Sequence, residues 1–351
     1  MILYALTFLL SFLLALYVTP IMRKAAMRFG IMDNPDGNLK RQEEPVAYLG
    51  GLAVYLSFLG SLALVYNFDQ RVLGLLLGGT IVVLLGLVDD FGFLSPKVKL
   101  VGQLVAVWVL IKSGIYVQLD FLPKVRGIPV MAYALSVLWV IGITNAFNII
   151  DVMDGLASTV AAVAALVFCG VAVINNRPTI IVFTLALAGA LFGFLIYNKP
   201  RAKIYLGDTG SLFIGLMLGS LAMIGSYTKN NMMAWASPIV ILGVPIFDTF
   251  LVMFLRWRKG KPVMYGSPDH YALRLRKKGF SDMAVMAISG ATTLILGATA
   301  FWMMSMKSEV PAFYLCCGLG VLGIVAAVWI GSVEMPYVEK VSDKTESKEA
   351  E

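Results

Sequence analysis

Charged residues and histidine are both scarce in this chain. Of its 351 residues only 14% are charged while 59% are hydrophobic, whereas soluble globular domains carry about 25% charged residues. The scarcity of charge excludes an ordinary soluble protein and predicts an integral membrane protein. His270 is the single histidine, so catalysis by a group of histidines is excluded.

Cysteine pairs and glycine-rich phosphate loops are missing as well. Cys169, Cys316 and Cys317 lie in apolar runs without metal-ligand spacing, which predicts buried thiols and not a disulfide framework. The patterns G-x-x-x-x-G-K-[ST] and G-x-G-x-x-G do not occur, which argues against a Walker loop and a dinucleotide-binding motif. Without H-E-x-x-H or paired cysteines, a zinc site is not expected either.

Apolar stretches long enough to cross a hydrocarbon core of about 30 Å recur along the whole chain. We therefore predict an all-α polytopic membrane protein, with residues 1–335 as a single membrane domain and 336–351 as a short charged cytoplasmic tail. The first stretch lacks a basic n-region and a cleavage site, which predicts a retained helix. The eleven predicted transmembrane helices cover about 2–22, 46–66, 72–88, 100–115, 128–145, 156–174, 178–197, 210–226, 235–255, 283–306 and 310–333.

Lysine and arginine are distributed unevenly between the predicted loops. With the N-terminus outside, the inner loops hold 21 of the 28 basic residues and the outer loops hold 7. By the positive-inside rule this excess predicts an outer N-terminus and a cytoplasmic C-terminus. The net charge of +7 then reflects loops beside anionic lipid headgroups and requires no nucleic-acid partner.

Carboxylates and carboxamides cluster at the predicted inner helix ends. In the segment NAFNIIDVMDGLA, residues 145–157, Asn148, Asp151 and Asp154 are spaced three apart, so a helix would present them on one face. For any single aspartate at a helix end, a capping or solvated loop residue is the alternative interpretation. The combination of several such groups nevertheless favours a functional site.

Two further acidic motifs fall on the same predicted side. Asp89 and Asp90 follow the apolar run IVVLLG, and a carboxylate buried at the bilayer centre costs about 2.5–3.5 kcal/mol. Asp208 lies in GDTGS, and the glycines there and in DGLA predict helix N-termini that could bind phosphate, or plain helix starts. Oxygen ligands of this kind favour Mg²⁺, which bridges carboxylates to substrate phosphates.

The shortage of histidine also restricts acid–base chemistry. A carboxylate must act as any general base, or the nucleophile must arrive already ionised. A phosphate monoester arrives ionised, because its second pKa is about 6.

The motifs LVDDFG, NAFNIIDVMDGLA and KIYLGDTGSL in combination resemble the polyprenyl-phosphate N-acetylhexosamine-1-phosphate transferases, over about Lys40 to Phe280. This membrane family, related to phospho-MurNAc-pentapeptide translocase, includes enzymes that start O-antigen, teichoic acid and peptidoglycan lipid carriers. The resemblance implies transfer of a sugar-1-phosphate, with GlcNAc-1-phosphate expected, from a UDP-sugar to undecaprenyl phosphate, with release of UMP. It also implies Mg²⁺ or Mn²⁺ as cofactor and a cytoplasmic active site in the bacterial inner membrane; a homodimer is left open.

The resemblance implies a role for each candidate residue. Asp208 and Asn148 would bind the metal, while Asp89 and Asp90 would lie at the lipid phosphate as base or electrostatic organisers. Asp151 would join the catalytic carboxylates beside the nucleotide pocket. The expected substrate-binding residues are Lys40, Lys99, Asp154, Asn198, Lys203, Tyr205, His270, Arg274 and Arg276.

The last large inner loop departs from the family pattern. Where bacterial members usually carry His-x-His-His, the sequence SPDHYALRLRKK has His270 followed by Arg274 and Arg276. These arginines could clamp the pyrophosphate bidentately, or they could be loop charges that face lipid headgroups. Gln42 also replaces a common histidine in the first inner loop. Both changes leave open that the donor is a UDP-amino sugar other than UDP-GlcNAc.

Two other classes compete with this interpretation. A transporter would concentrate its ionisable residues near the bilayer midplane, whereas here they fall at predicted inner helix ends. The CDP-alcohol phosphotransferases share membrane-embedded aspartates, but their D-G-x-x-A-R motif is absent because DGLAST has no arginine. A transporter therefore remains the alternative outside the transferases.

Overall fold

A computed structural model describes residues 2–33, 44–65, 69–118, 128–261 and 267–335. Over these ranges the chain is mostly helical, with one antiparallel ribbon formed by β1 (Met32–Asp33) and β2 (Val46–Ala47). A short 3₁₀ helix covers Met232–Ala236. The α-helices are α1 Ile2–Phe29, α2 Gly50–Val65, α3 Gln70–Asp90, α4 Pro96–Lys112, α5 Pro129–Ile150, α6 Leu156–Ile174, α7 Pro178–Asn198, α8 Gly207–Met223, α9 Ser237–Ile241, α10 Gly243–Arg258, α11 Tyr271–Lys277, α12 Asp282–Ser305 and α13 Glu309–Gly331.

Several of these helices are long and apolar enough to cross a membrane. Seven meet this criterion in the described part of the chain: α1, α3, α5, α6, α7, α12 and α13. The bent pair described below makes an eighth if it is one span, while α2 and α8 are apolar but shorter. The prediction of a helical, multi-pass membrane protein is therefore confirmed.

The predicted continuous helix over 235–255 is wrong. The chain there forms two segments, Met232–Ile241 and Gly243–Arg258, which meet at 73°. Proline explains the break, because Pro245 has no N–H to donate into the preceding turn and is tolerated only near a helix start. Pro245 accordingly lies in the first turn of α10.

Helix α8 lies at the centre of the bundle and packs against α2, α3 and α5. Its sequence is apolar or small all round, which is typical of a helix that is buried on every side. Every residue from Thr209 to Met223 is buried. The N-terminal end of α8 is therefore held by three neighbouring helices, and this end carries Asp208.

Close backbone contact positions the segment before α8. The N–H groups of Gly50 and Gly51 donate to the carbonyls of Tyr205 and Leu206, at 3.0 and 2.9 Å. A Cβ atom on Gly51 would overlap the backbone nitrogen of Gly210. Small residues allow such approach between membrane helices, so glycine at this position lets α2 and α8 touch.

Helix α13 lies at the edge of the bundle. Of its residues only Ala312 and Ile330, near its two ends, are buried. A helix with so little protein contact depends on those ends for its position. The tail predicted over 336–351 lies outside the described residues.

Candidate active site

Four helices meet at the ammonium group of Lys99. Its Nζ atom lies 2.6 Å from Oδ2 of Asp89 and 2.5 Å from Oδ2 of Asp208, and it donates a 3.1 Å hydrogen bond to Oδ1 of Asn148. These side chains come from α4, α3, α8 and α5 respectively. Asp89, Lys99, Asn148 and Asp208 form what we call the carboxylate–lysine centre.

A tight turn between α3 and α4 brings Lys99 back beside Asp89. Gly92 adopts a positive φ of 75°, and its N–H donates to the carbonyl of Asp89 at 2.7 Å. The hydroxyl of Ser95 then caps α4, and Pro96 occupies its first turn, as both residue types favour. Lys99 therefore lies at the end of that first turn.

Both carboxylate oxygens of Asp208 have partners. Oδ2 contacts Lys99, while Oδ1 accepts a 2.7 Å hydrogen bond from Nδ2 of Asn148. The same Nδ2 also donates to Oγ of Ser211 at 3.0 Å, one turn further along α8. The amide of Asn148 is thereby oriented with its Oδ1 toward Lys99.

Asp90 faces away from Lys99 and caps α8. It accepts hydrogen bonds from the backbone N–H groups of Asp208 (2.6 Å) and Thr209 (3.1 Å) and from the Thr209 hydroxyl (2.6 Å). Gly207 has a φ of 69°, and a Cβ there would lie 2.7 Å from Oδ2 of Asp90. Asp90 is thus held in place by the structure around it.

This capping argues against phosphate binding at GDTGS and favours the alternative, a plain helix start. A helix N-terminus has unpaired N–H groups and a partial positive charge, and a carboxylate satisfies both. Asp90 already supplies that carboxylate, so the N–H groups of Asp208 and Thr209 are not free for a phosphate. This geometry argues against the predicted contact of Asp90 with the lipid phosphate and favours a role in positioning Asp208.

The predicted single helical face of Asn148, Asp151 and Asp154 is wrong. Helix α5 ends at Ile150, and Asp151 follows as its C-cap. Asp154 lies in the turn before Gly155, whose φ of 70° precedes α6. Oδ2 of Asp154 accepts from the backbone N–H of Ala202 at 2.9 Å. The chain therefore turns where helical spacing was assumed, and Asp154 faces the α7–α8 connection.

Burial strongly affects these two carboxyl groups. Burial, followed by the negative charges of Asp208 and Asp90, raises the pKa of Asp151 well above its usual range. Burial also raises the pKa of Asp154, although the N–H of Ala202 opposes this. Asp151 therefore lies within the electrostatic field of the carboxylate–lysine centre.

The residues predicted around 198–205 do not form one cluster. Asn198 is buried, accepts from the Ser158 hydroxyl at 3.1 Å and donates to the Ile204 carbonyl at 3.0 Å. This geometry argues against a substrate contact, because both the oxygen and the nitrogen of the amide are hydrogen-bonded to protein groups. Lys203 is exposed. Tyr205 is half-buried and forms a T-shaped ring contact with Tyr48, and burial raises the pKa of its hydroxyl.

A buried aspartate that the sequence analysis missed orients His270. Oδ2 of Asp248 lies 2.8 Å from Nδ1 of the histidine ring, and Oδ1 accepts the N–H of Tyr271 at 2.8 Å. Asp248 is completely buried and His270 nearly so. The sequence GVPIFDTF carried a signal, since an aspartate inside an apolar span marks a functional position by default.

Arg274 is buried inside the protein. Its Nε donates to the Asp269 carbonyl at 2.9 Å and its Nη2 contacts the Asp269 carboxylate. Its Nη1 donates to carbonyls at the end of α13, those of Gly331 at 3.2 Å and of Val333. This geometry argues against the predicted pyrophosphate clamp for Arg274, because each of its three nitrogens already has a protein acceptor.

The remaining predicted residues divide between the surface and the undescribed part of the chain. Arg276 is partly exposed at the end of α11 and lies 3.7 Å from Asp282. Lys40 lies outside the described residues. Neither position therefore tests the role predicted for it.

The carboxylate–lysine centre has the donor set of a hard divalent cation. Two carboxylates and one amide place oxygen atoms around the ammonium of Lys99, and Mg²⁺ prefers oxygen ligands. Over the described residues, no cluster of three or more histidine, cysteine, aspartate or glutamate side chains has the geometry of a metal site. The residues fit a cation that is shared between few protein ligands and a phosphate substrate.

The fold and this centre define a multi-pass helical membrane protein with a polar site of carboxylates, an amide and a lysine. The family described as "Glycosyl transferase family 4" matches residues 72–226, a range that contains all four residues of the centre. The comparisons with individual proteins extend this match over most of the chain.

Three relatives illustrate the range of the similarity. The chain is 33% identical over 307 residues to a Bacillus subtilis protein named "Probable undecaprenyl-phosphate N-acetylglucosaminyl 1-phosphate transferase", covering 84% of this chain and 86% of that protein. It is 28% identical to the decaprenyl-phosphate N-acetylglucosaminephosphotransferase of Mycolicibacterium smegmatis, with 85% and 84% covered. It is 30% identical to the phospho-N-acetylmuramoyl-pentapeptide-transferase of Halalkalibacterium halodurans, with 88% and 96% covered. The chain belongs to this family of membrane glycosyl-phosphate transferases.

Proposed function

We propose that the protein transfers GlcNAc-1-phosphate from UDP-GlcNAc to undecaprenyl phosphate and releases UMP. This would be the first membrane step in the synthesis of a cell-envelope polysaccharide. The observation that carries the proposal is the carboxylate–lysine centre, which lies within the matched region and combines a lysine ammonium with carboxylate oxygens of the kind that Mg²⁺ prefers. The names of the Bacillus and Mycolicibacterium relatives support the amino sugar and the polyprenyl phosphate.

Each residue of the centre has a part in this reaction. Phosphoryl transfer depends mainly on positioning and on neutralising phosphate charge. Lys99 would contact a phosphate, and Asp89 would orient the lipid phosphate or accept its proton. Asp208 and Asn148 would hold Mg²⁺ or Mn²⁺, which when bound supplies charge neutralisation at the donor diphosphate.

The surrounding residues would support that arrangement. Asp90 would hold the start of α8, and with it Asp208. Asp151 would retain a proton more readily than an ordinary aspartate, because burial and neighbouring carboxylates raise its pKa. A lipid phosphate arrives ionised near neutral pH, so the attack requires no strong base from the protein.

We further propose eleven membrane spans, an outer N-terminus and a cytoplasmic C-terminus and active site, in a bacterial inner membrane. A helix, or the bent α9–α10 pair, occurs at each of the eleven predicted positions. The excess of basic residues in the proposed inner loops supports the orientation. Asp89, Lys99, Asn148 and Asp208 would all lie at cytoplasmic helix ends.

A different UDP-amino sugar is the alternative donor. It is favoured by the loop SPDHYALRLR, which has one histidine where three are usual. A transporter function is not supported, since the chain belongs to a family of transferases. The donor panel of the following assay separates the two donors.

The test is UMP release by purified protein with undecaprenyl phosphate and a panel of UDP-sugars, in Mg²⁺ or EDTA. We expect release with UDP-GlcNAc, its loss in EDTA, and its loss in Asp208→Asn. Asp69→Ser is the matched control, because it removes a carboxylate at the opposite end of α3 and keeps an N-cap oxygen. Absence of UMP with every donor, or full activity of Asp208→Asn, would refute the proposal.

A further inference from the structure

We propose that Lys99 is a built-in counter-cation that occupies the Asp89–Asp208 pair in the absence of metal and leaves it when a divalent cation binds. Lys99 and the metal would thus alternate at the same oxygens. The inference rests on the proposed function for the identity of the metal. It adds a state of the centre that the proposed reaction does not require.

The contacts of Asp208 make simultaneous occupancy unfavourable. Its Oδ2 lies 2.5 Å from Lys99 Nζ, and its Oδ1 accepts from Asn148 at 2.7 Å. Lys99 also lies 2.6 Å from Asp89 and 3.1 Å from the Asn148 oxygen. The ammonium therefore lies between the oxygens that a metal would need, so a metal ligated by them must displace it.

Charge balance favours the exchange. One ammonium carries a single positive charge, whereas it touches two carboxylates. The side chain of Lys99 is only 16% exposed, so little solvent screens the remaining charge. A divalent cation would balance both carboxylates, which a single lysine cannot.

The exchange would also give Lys99 its role toward substrate. Its ammonium is now directed at protein carboxylates. A lysine is a point charge on a flexible four-carbon stem, so it can turn from the carboxylates to a phosphate oxygen without backbone movement. Metal binding would thereby release the cation that contacts the diphosphate.

Amine labelling of the wild-type protein tests the displacement directly. Purified protein is reacted with acetic anhydride at limiting reagent, in Mg²⁺ or EDTA and without substrate, and labelling at each lysine is measured by mass spectrometry. We expect Mg²⁺ to increase the labelling of Lys99, because an ammonium held by two carboxylates reacts slowly. Lys97, exposed two residues earlier in α4, is the internal control and should not change. Unchanged or reduced labelling of Lys99 would overturn the proposal.

Metal affinity provides a second test. We expect Lys99→Gln to lower the apparent dissociation constant for Mn²⁺, measured by electron paramagnetic resonance without substrate, by about tenfold, the factor that corresponds to one hydrogen bond to a charged group. Lys97→Gln makes the same change in net charge and should bind Mn²⁺ as the wild type does. Equal or weaker binding by Lys99→Gln would contradict the exchange.

The two proposals fail in different ways. Without UMP release from any donor, the transferase proposal fails, yet increased Lys99 labelling in Mg²⁺ would still support the exchange. If UMP release depends on Mg²⁺ and labelling of Lys99 does not, the transferase proposal stands and the exchange is refuted.

Discussion

Asp89 and Asp90 are neighbours in sequence, but the structure gives them different surroundings. Asp89 contacts the Lys99 ammonium, whereas Asp90 accepts three hydrogen bonds at the start of α8. The two carboxylates point to different partners because they are consecutive residues at the end of a helix, about 100° apart around its axis. One therefore belongs to the charged centre, and the other supports it.

Asp90→Asn is expected to lower both stability and activity. An asparagine has one acceptor oxygen, and its NH₂ would face N–H and O–H donors, so a buried donor would lose its partner at about 1–3 kcal/mol. The apparent unfolding temperature in detergent and the rate of UMP release measure the two effects. Asp89→Asn should reduce UMP release with a smaller change in unfolding temperature, because Lys99 keeps its contact with Asp208. An Asp90→Asn protein as stable as the wild type would contradict the capping role.

Among the elements, α2 and α8 depend on the absence of a side chain at their contact. Gly51 lies against the backbone of Gly210, and the backbone hydrogen bonds of Gly50 and Gly51 hold the segment that leads to Asp208. The contact adds α2 to the elements that position the start of α8. A change in this packing would therefore also displace Asp208 in the carboxylate–lysine centre.

Gly51→Ala is expected to displace α8 and impair the protein. The new Cβ would overlap backbone atoms, which cannot rotate away, and overpacking of this kind costs about 1–3 kcal/mol. Gly60→Ala on the same helix is the matched control, since its Cβ would meet only the flexible Leu14 side chain at 3.2 Å. Unfolding temperature and UMP release should fall for Gly51→Ala and stay near wild type for Gly60→Ala. Equal behaviour of the two variants would refute the packing argument.

Arg274 joins two elements that otherwise touch little. It links Asp269, before α11, to the last carbonyls of α13. Nζ of Lys278, directly after α11, lies 4.0 Å from the centroid of the Trp329 ring. Most residues of α13 are exposed. The short helix α11 therefore determines where the end of α13 lies.

Arg274→Gln is expected to destabilise the protein by about 3–5 kcal/mol, because removing one partner of a buried ion pair leaves the other uncompensated. The measurement is the apparent unfolding temperature, together with the rate of proteolysis near the end of α13. Arg276→Gln is the control, since its pair with Asp282 at 3.7 Å is partly exposed and should contribute about 0–1 kcal/mol. A stable Arg274→Gln protein would show that α13 is held by other contacts.

For the whole molecule, the orientation in the membrane decides whether the carboxylate–lysine centre is accessible to a cytoplasmic nucleotide-sugar. In a variant with alanine at Cys169, Cys316 and Cys317, we expect a membrane-impermeant maleimide to label Gln118→Cys on intact cells. Lys97→Cys should react only after lysis, because the positive-inside rule places that connection in the cytoplasm. Both positions are exposed. The opposite pattern would reverse the proposed topology.

Site residues could be predicted from the sequence because charged groups are conspicuous in an apolar chain. The pattern of polar residues predicts Asp89, Asn148 and Asp208, the family resemblance implies Lys99, and the structure brings the four together. Asp248 was overlooked although it lies in an apolar span. Asn198 and Arg274 were included although the structure gives their polar atoms protein partners. Sequence shows that a polar group is present, but not whether its partner is protein or substrate.

The sequence by itself determined the membrane class and the helical fold, because in lipid the backbone of an apolar segment must satisfy its own hydrogen bonds. It also determined the family, through motifs whose residues lie close together in the chain. Only the tertiary structure decided the break before α10, the turn at Asp151 and the separate tasks of Asp89 and Asp90. The Lys99–Asp208 contact joins residues 109 positions apart, and such contacts depend on how the helices pack, which no local pattern encodes.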